Sequence, residues 1–305
     1  MKVNLQQAID RLNRGGVVAI PTETVYGLAA RYDLPQAVNK VFALKQRPKD
    51  HPLIIHVADF EALKALTTGV GVVAEQLAKA FWPGPLTLVL PKSGLVSRDI
   101  TGSQNSVAIR MPNHPLTLSL IEAVGPLVAP SANRFTQLSP TSAEEVEFAL
   151  GLETLVLEGG KCSVGVESAI VSLLNPERLS VLRPGMISAQ QISEVTGLPC
   201  DEGWKNKHAG VKVPGAHWVH YAPKKPLHLF EAHQSDLLAG YVKNNPDALR
   251  IALPQEPALC ARQLYSLLRK ADAADSKSLC IILPPEKEEW SAIRDRLLKA
   301  GHLTT

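Results

Sequence analysis

Apolar residues along the chain alternate between helical and strand-like spacing, and their order predicts two α/β units. Leu5, Ile9 and Leu12 share one helical face, closed by Gly15-Gly16. The apolar run 17–20 predicts a first strand, which leads into PTETVYGLAA, residues 21–30, ahead of a helix-like segment. Pro35 opens a second helix carrying Ala37, Val38, Val41, Phe42 and Leu44 on one side, with Pro48 as its stop. Residues 53–57 predict a strand, and helices follow over 60–66 and 73–81. Trp82-Pro83-Gly84-Pro85 then turns into a strand over 86–90. Short strands are expected over 107–110 and 127–129, flanking a helix over 115–123. Thr141-Ser142 followed by Glu144 and Glu145 marks a helix start, with a capping oxygen and acids in the first turn. Residues 155–157, 169–173 and 179–182 predict further strands, and 188–195 a helix.

After residue 200 the periodicity stops. Trp204, Lys205, Asn206, Lys207 and Gly210 follow no pattern, and VPGAHWVHYAPKKP is rich in Pro, Gly and His, a linker composition that carries chemistry. Beyond it, strands over 227–230, 250–253 and 279–283 alternate with helices over 235–243, 259–271 and 290–300. That order predicts a small parallel sheet. The expected organisation is a first domain over 1–200, a linker or lid over 201–225, and a smaller domain over 226–305.

The 305 residues are 45% hydrophobic and 20% charged, enough to bury a sizeable core. Net charge is +3, and the excess lies in residues 1–225, with 22 basic against 19 acidic residues; residues 226–305 hold ten of each. This suits an anionic ligand in the first unit and is far from a nucleic-acid footprint. The four cysteines, Cys162, Cys200, Cys260 and Cys280, show no zinc spacing and read as reduced thiols of an intracellular protein. The amphipathic start differs from a signal peptide and no apolar run approaches membrane-spanning length, so the expectation is a cytoplasmic protein without a membrane.

Several polar clusters sit at strand ends, where open α/β proteins place ligands. PTETVYGLAA is either one wall of such a site or a plain turn capped by Thr22. Lys45 and Arg47 either compensate a helix C-terminus or face a polyphosphate. Pro130-Ser131-Ala132-Asn133 reads equally as a turn or as a nucleotide contact, and Arg110 as a carboxylate clamp or a surface residue. Gly159-Gly160, Gly165 and Glu167-Ser168 form either a ligand-approaching loop or a β-turn. GxxxxGK[ST], GxSxG and HExxH are absent and no complete GxGxxG follows a strand, which disfavours P-loop NTPases and dinucleotide dehydrogenases.

Taken together, PTETVYGLA, KxRP with HPLIIHV, FWPGPLTLVL, VAIRMP, APSAN with SPT, EGG..SVGVESAIV, LRPG and PGAHWVHYAPKKPL resemble the YrdC-like family, the threonylcarbamoyl-adenylate synthases, in its longer two-domain form. The resemblance implies an α/β fold with a twisted mixed open sheet, plus a smaller Rossmann-like parallel domain. It implies a nucleotidyltransferase that condenses L-threonine, bicarbonate and ATP, with Mg2+, into threonylcarbamoyl-AMP and pyrophosphate. The product would pass to a separate tRNA threonylcarbamoyltransferase complex that modifies position 37 of ANN-decoding tRNAs. Thr24, His56, Arg110, Ala129 and Ser168 match its threonine positions. Lys45, Arg47, His51, Ser106, Ser131, Asn133, Ser139, Arg183 and Tyr221 match its ATP positions, with Lys45 and Arg47 as the catalytic pair and no protein-held metal. His51 stands where Asn is usual, Glu158 where Asp is, Lys161 where Pro is and Ala169 where Thr is. Tyr221 suggests that the linker folds over the nucleotide. Two other classes are a double-stranded-RNA-binding module of the same fold, with weak RNA binding, and a carbamoyl-transferring maturation factor. The low net charge and 5% aromatic content speak against the first, and the lack of zinc-finger regions against the second.

Overall fold

The computed structural model describes residues 1–206, 210–215 and 220–304. Within the linker expectation, residues 207–209 and the AHWV of the PGAHWVHYAP motif (216–219) lie outside the described residues.

Eleven strands form the first sheet: β1 (Lys2–Val3), β2 (Val18–Ile20), β3 (Gly27–Arg31), β4 (Ile54–His56), β5 (Leu86–Pro91), β6 (Ser106–Arg110), β7 (Leu127–Val128), β8 (Val156–Leu157), β9 (Ala169–Ser172), β10 (Leu179–Arg183) and β11 (Cys200–Asp201). Their order is β1-β8-β2-β3-β7-β4-β6-β5-β9-β10-β11, mixed in direction. The strands are buried on both faces, which explains why they read as continuous apolar runs. Helices close one face over a core of Val41, Phe42, Leu63, Leu77, Leu88 and Ile109 among others. Local signals place several of them. Pro35 begins Pro35–Lys45, Asp59 caps Phe60–Leu66, Ser142 caps Ala143–Leu150, and Ser188 with Gln191 makes a capping box for Ala189–Thr196.

The second sheet joins β12 (Leu227–Phe230), β13 (Ala248–Arg250), β14 (Ser278–Ile282) and β15 (His302–Leu303) in the order β13-β14-β12-β15, and its pairs are parallel. Helices Ser235–Asn244, Pro257–Ala273 and Ser291–Ala300 connect them. Among the described residues, no helix is long and apolar enough to cross a membrane.

One strand was not anticipated and another lies earlier than expected. The helix-like segment after PTETVYGLAA is Pro35–Lys45, and where no element was expected β3 follows Tyr26, antiparallel to β2 and to β7. Its residues are small because β3 is buried on both faces. A Cβ on Gly27 would come within 3.0 Å of the Ala129 side chain and 3.1 Å of the Ala129 carbonyl. The strand expected over 250–253 lies earlier, at β13, where Ala248, Leu249 and Arg250 face Ser278, Leu279 and Cys280 in register. Pairing partners decided that register, and a short apolar run could not reveal it. The edge strands β1, β11 and β15, two residues each, left no periodic trace.

Candidate active site

The six residues Pro21–Tyr26 are the connection between β2 and β3, so PTETVY is a hairpin turn that other segments grip. Thr22 organises it locally. Its Oγ1 donates to the Val25 carbonyl (2.6 Å) and accepts from the Thr24 and Val25 amides (3.1 and 3.2 Å). Tyr26 anchors the glycine loop by donating from its hydroxyl to the Gly160 carbonyl (2.8 Å) and accepting from the Gly159 amide (3.1 Å). The Val164 and Gly165 amides donate to the Glu23 and Thr24 carbonyls. On the other side, the Leu28 amide donates to the Pro130 carbonyl and the Ala132 amide to the Tyr26 carbonyl. The PTETVYG, APSAN and EGG segments thus meet around one turn.

β4 and β6 run parallel with His56 opposite Arg110, which brings these two side chains together at the C-terminal ends of neighbouring strands. Between them and the turn opens a cleft whose empty space, mouth included, is about 570 Å3, within the ~300–1,000 Å3 of small-molecule sites. Thr24, Arg47, His56, Arg110, Ala129, Ser131, Arg183 and Tyr221 all line it.

The two ends of the cleft are charged differently. At one end Arg110 Nη1 donates to Thr24 Oγ1 (2.9 Å) and Nε to the Gly84 carbonyl (3.2 Å), while Nη2 lies 2.7 Å from Glu23 Oε1. These three contacts use three of the five N–H donors of the guanidinium. His56 is 3% exposed; burial and then the Arg110 charge push its pKa down to about 3, so the ring is neutral. At the other end stand Arg47 and Arg183, whose hydrogen bonds go to neutral acceptors among the described residues. Arg47 donates to the Pro52 carbonyl (2.9 Å) and, at 3.5 Å, to that of His51. Arg183 donates to the Ser168 carbonyl and hydroxyl and the Pro214 carbonyl, each at 3.1 Å. Burial presses the Arg47 pKa down to about 10 and lowers that of Arg183. Two buried guanidinium groups on neutral acceptors make a strong demand for an anion.

The remaining candidates stand behind the lining. Ser168, fully buried, shares a hydrogen bond with Thr87 Oγ1 (2.7 Å) and supports Arg183. Asn133 donates to the Arg134 and Gln137 carbonyls and shapes its own loop. Ser139 Oγ donates to Glu167 Oε1 (2.6 Å). Ser106 begins β6, four residues before Arg110, about 13 Å along the strand. The His51 ring packs edge-on against Phe135, 5.0 Å between centroids, over which Arg47 also lies.

Lys45 departs from the expectation of a cation facing the cleft. The helix ends at Lys45 with Gln46 in the left-handed region, and the side chain turns inward. Its ammonium donates to the Ser131 and Asn133 carbonyls, and it is 1% exposed. Burial, then the Arg47 charge, lowers its pKa well below the usual lysine range. Lys45 is therefore a strut under the APSAN loop. Spacing could place the residue but could not tell which way a long side chain turns.

Four residues of the site region escaped sequence reasoning in their roles: Glu23, His220, Tyr265 and Arg296. Glu23 lay in plain view inside PTET, and a buried partner for Arg110 was the missing inference. Tyr265 and Arg296 lie in helices whose charged and apolar positions read as ordinary amphipathic surface. Among the described residues, no group of three or more His, Cys, Asp and Glu side chains could hold a metal ion. The two carboxylates nearest the cleft are already matched, Glu23 by Arg110 and Glu167 by Arg296.

The Sua5/YciO/YrdC family model, described as "Telomere recombination", matches residues 10–185, and a second model, "Threonylcarbamoyl-AMP synthase, C-terminal domain", matches residues 187–301. The chain belongs to the Sua5/YciO/YrdC family. It is similar to the threonylcarbamoyl-AMP synthase of Bacillus subtilis, at 43% identity over 97% of this chain and 92% of that protein. The Pyrococcus abyssi threonylcarbamoyl-AMP synthase is 45% identical over 72% of this chain and 66% of its own. Among solved structures, P. abyssi Sua5 complexed with L-threonine superposes with a TM-score of 0.90 at 35% identity, covering 98% of this chain and 97% of that one. Both family models are thus present in one chain, on either side of residue 186.

Proposed function

We propose that this protein is an L-threonylcarbamoyladenylate synthase, which condenses L-threonine, bicarbonate and ATP into threonylcarbamoyl-AMP, pyrophosphate and water for tRNA modification. The observation that carries it is the pairing, in one cleft, of an Arg110–Glu23–Thr24 corner with two buried arginines bonded to neutral groups. Zwitterionic threonine suits the first: its carboxylate takes the N–H donors of Arg110 that the guanidinium's three present partners leave over. A triphosphate suits the second, where Arg47 and Arg183 spread their forked donors over its oxygens. Likeness to named synthases over nearly the whole chain supports the same reading.

The chemistry asks little of the protein beyond position and charge. Bicarbonate takes up a proton and loses water to give CO2. The threonine ammonium gives up a proton, and the free amine adds to CO2 and sheds a second proton to leave a carbamate. The carbamate oxygen displaces pyrophosphate from the α-phosphorus of ATP. Holding the two reactants in line and neutralising developing charge account for the rate. By class the enzyme is a nucleotidyltransferase. Arg47 is its catalytic residue, and Lys45 positions the loop that carries Ser131. Mg2+ arrives on the phosphate oxygens of ATP as part of the substrate. The carboxylates of this cleft are engaged by arginines and do not fit a protein-held ion, so no step is assigned to one. Tyr221, 1% exposed and lining the cleft with its hydroxyl unpartnered among the described residues, offers the nucleotide a contact from the linker. The domain division at residues 200 and 225, a cytoplasmic location, and transfer of the product to a separate tRNA threonylcarbamoyltransferase complete the proposal.

The test follows pyrophosphate release from ATP while threonine and bicarbonate are omitted in turn. Release should require both. Release without either one overturns the reading.

A further inference from the structure

The helix Ser291–Ala300 belongs to the second sheet's layer, yet Arg296 on it is fully buried against the first. Its Nε donates to Glu167 Oε2 (3.1 Å), and its Nη1 to the Pro184 carbonyl (2.9 Å) and to Asp295 Oδ2 (2.8 Å). Glu167 lines the cleft and adjoins Ser168. Its other oxygen accepts from Ser139, and Tyr265 from the preceding long helix donates to Oε2 (2.8 Å). The same guanidinium lies 5.2 Å from the ring centre of Tyr221, which also stacks on Tyr265 at 5.8 Å.

Tyr221 needs holding. Its φ of 61° is in the left-handed region, which a bulky residue keeps only when its surroundings impose it. Lys299, one turn beyond Arg296, donates to the Gly215 carbonyl (2.8 Å) and accepts from the His220 amide (3.0 Å). On the opposite side the linker meets the first sheet. The Lys212 amide donates to Gln104 Oε1 (2.7 Å), and Val211 and Val213 pack on Ile54, Ala108 and Ile170. One buried side chain therefore touches both the floor of the cleft and the linker above it.

We infer that Arg296 and Tyr265 are positioning residues through which the C-terminal unit locks Tyr221 and Glu167 in register, so that this unit completes the ATP end of the active site. They touch no substrate. Their effect passes through Tyr221 to the nucleotide and through Glu167 to Ser139 and Ser168. Only the kinetic part rests on the synthase reading.

The test uses full-length Arg296→Met and Tyr265→Phe, the second of which keeps the ring and deletes only its hydroxyl. Hydrogen exchange without substrates is read at the His220 and Ala222 amides, with the Leu283 amide inside the second sheet as reference. Exchange at His220 and Ala222 should rise at least tenfold in Arg296→Met and about threefold in Tyr265→Phe, with Leu283 unchanged. The KM for ATP should rise by similar factors while that for threonine stays within twofold. Unchanged linker exchange in Tyr265→Phe, or an equal loss for both substrates, overturns the inference. Should Arg296→Met not fold, Tyr265→Phe decides alone. Wild-type protein lacking threonine-dependent pyrophosphate release would sink the synthase reading, while the exchange measurements would still judge the coupling.

Discussion

The two ends of the cleft hold arginines in opposite ways. Arg110 is matched by a carboxylate, Glu23, 2.7 Å away, and its three contacts leave two of its five N–H donors over. Arg47 and Arg183 are equally buried but lean on carbonyls and a hydroxyl. A matched arginine offers directional bonds to a ligand that is itself balanced in charge, and an unmatched pair offers net charge to a polyanion. The difference teaches that one cleft can hold an amino acid and a triphosphate without either taking the other's place.

The largest effect is expected from breaking the unmatched end. Arg47→Gln removes the charge and the fork while keeping a single amide donor on a shorter side chain. Pyrophosphate release at saturating threonine should fall about 10²–10³-fold, the scale of losing one electrostatic stabiliser of a transition state. Threonine binding, followed by calorimetry without ATP, should change less than twofold. A comparable loss of threonine affinity would dissolve the distinction between the ends. At the matched end the cleaner change is Arg110→Lys, because Glu23 keeps a cation and is not stranded as a buried charge. Losing the fork removes charge-assisted bonds worth about 1.5–3 kcal/mol. The threonine KM should rise roughly ten- to a hundredfold with the ATP KM nearly constant, as initial rates over both substrates would reveal.

That contrast was only partly legible in the sequence. Strand-end clusters such as PTETVYGLA, VAIR and APSAN are visible because polar residues interrupt apolar runs, and the structure does gather Thr24, His56, Arg110 and Ser131 into one cleft. Which arginine has a partner is a matter of tertiary distance. Glu23 sits 87 residues before Arg110 and meets it only because β2, β3 and β6 share one sheet. Direction along a side chain is equally hidden, as Lys45 illustrates: it follows the expected helix and then points inward to two carbonyls. β3 escaped notice for a related reason. Gly27, Leu28, Ala29 and Ala30 are small or apolar because β3 is buried on both faces, with helices packed against it, and such a run carries no period. The second sheet was readable from its alternation, but the reach of Arg296 into the first was not, since a buried charge and a solvated one look alike in a helical pattern.

Acid should sharpen the comparison next, because both ends carry groups held in one protonation state. His56, at the matched end, is kept neutral by burial and then by Arg110, with a pKa of about 3. The unfolded chain takes up that proton near 6.5, so it binds more protons than the folded one between these values. Stability is complete above pH 6.5 and declines as pH falls toward 3. His220, lowered in the same direction by burial, adds to this slope. For Glu167, burial works to raise the pKa, but the Arg296 and Arg183 charges and the Ser139 hydrogen bond outweigh it and hold it at about 2. Its contribution is present above about 4.5 and disappears as pH falls toward 2. His56→Gln should therefore flatten the slope of unfolding free energy between pH 6.5 and 4.5, leaving the His220 share and the steeper fall below 4.5. Urea unfolding at stepped pH measures this. A variant with the wild-type slope would mean that His56 is not held neutral.

The smallest expected effects come from two neighbouring hydroxyls in the turn that organises the matched end. Thr22 Oγ1 has three partners within its own turn, at 2.6–3.2 Å, and also lies 2.9 Å from Thr24 Oγ1. Thr24 Oγ1 receives Arg110 Nη1 and lines the cleft. Valine matches threonine in shape at both positions, so each substitution deletes a hydroxyl and little else. Thr22→Val strands two amides and a carbonyl that are buried in the turn. It should lower stability by about 1–3 kcal/mol, while the threonine KM shifts less than threefold. Thr24→Val strands a donor of the buried Arg110 and should cost a similar amount, about 1–3 kcal/mol, but unlike Thr22→Val it should raise the threonine KM about tenfold. It should also narrow the preference for threonine over alanine, because a pocket that loses a polar partner no longer penalises a substrate lacking one. Competition between the two amino acids separates these outcomes. If Thr22→Val were the variant that lost substrate discrimination, the turn would present its ligand contact through the residue assigned here to folding, and Arg110 would be oriented by something other than Thr24.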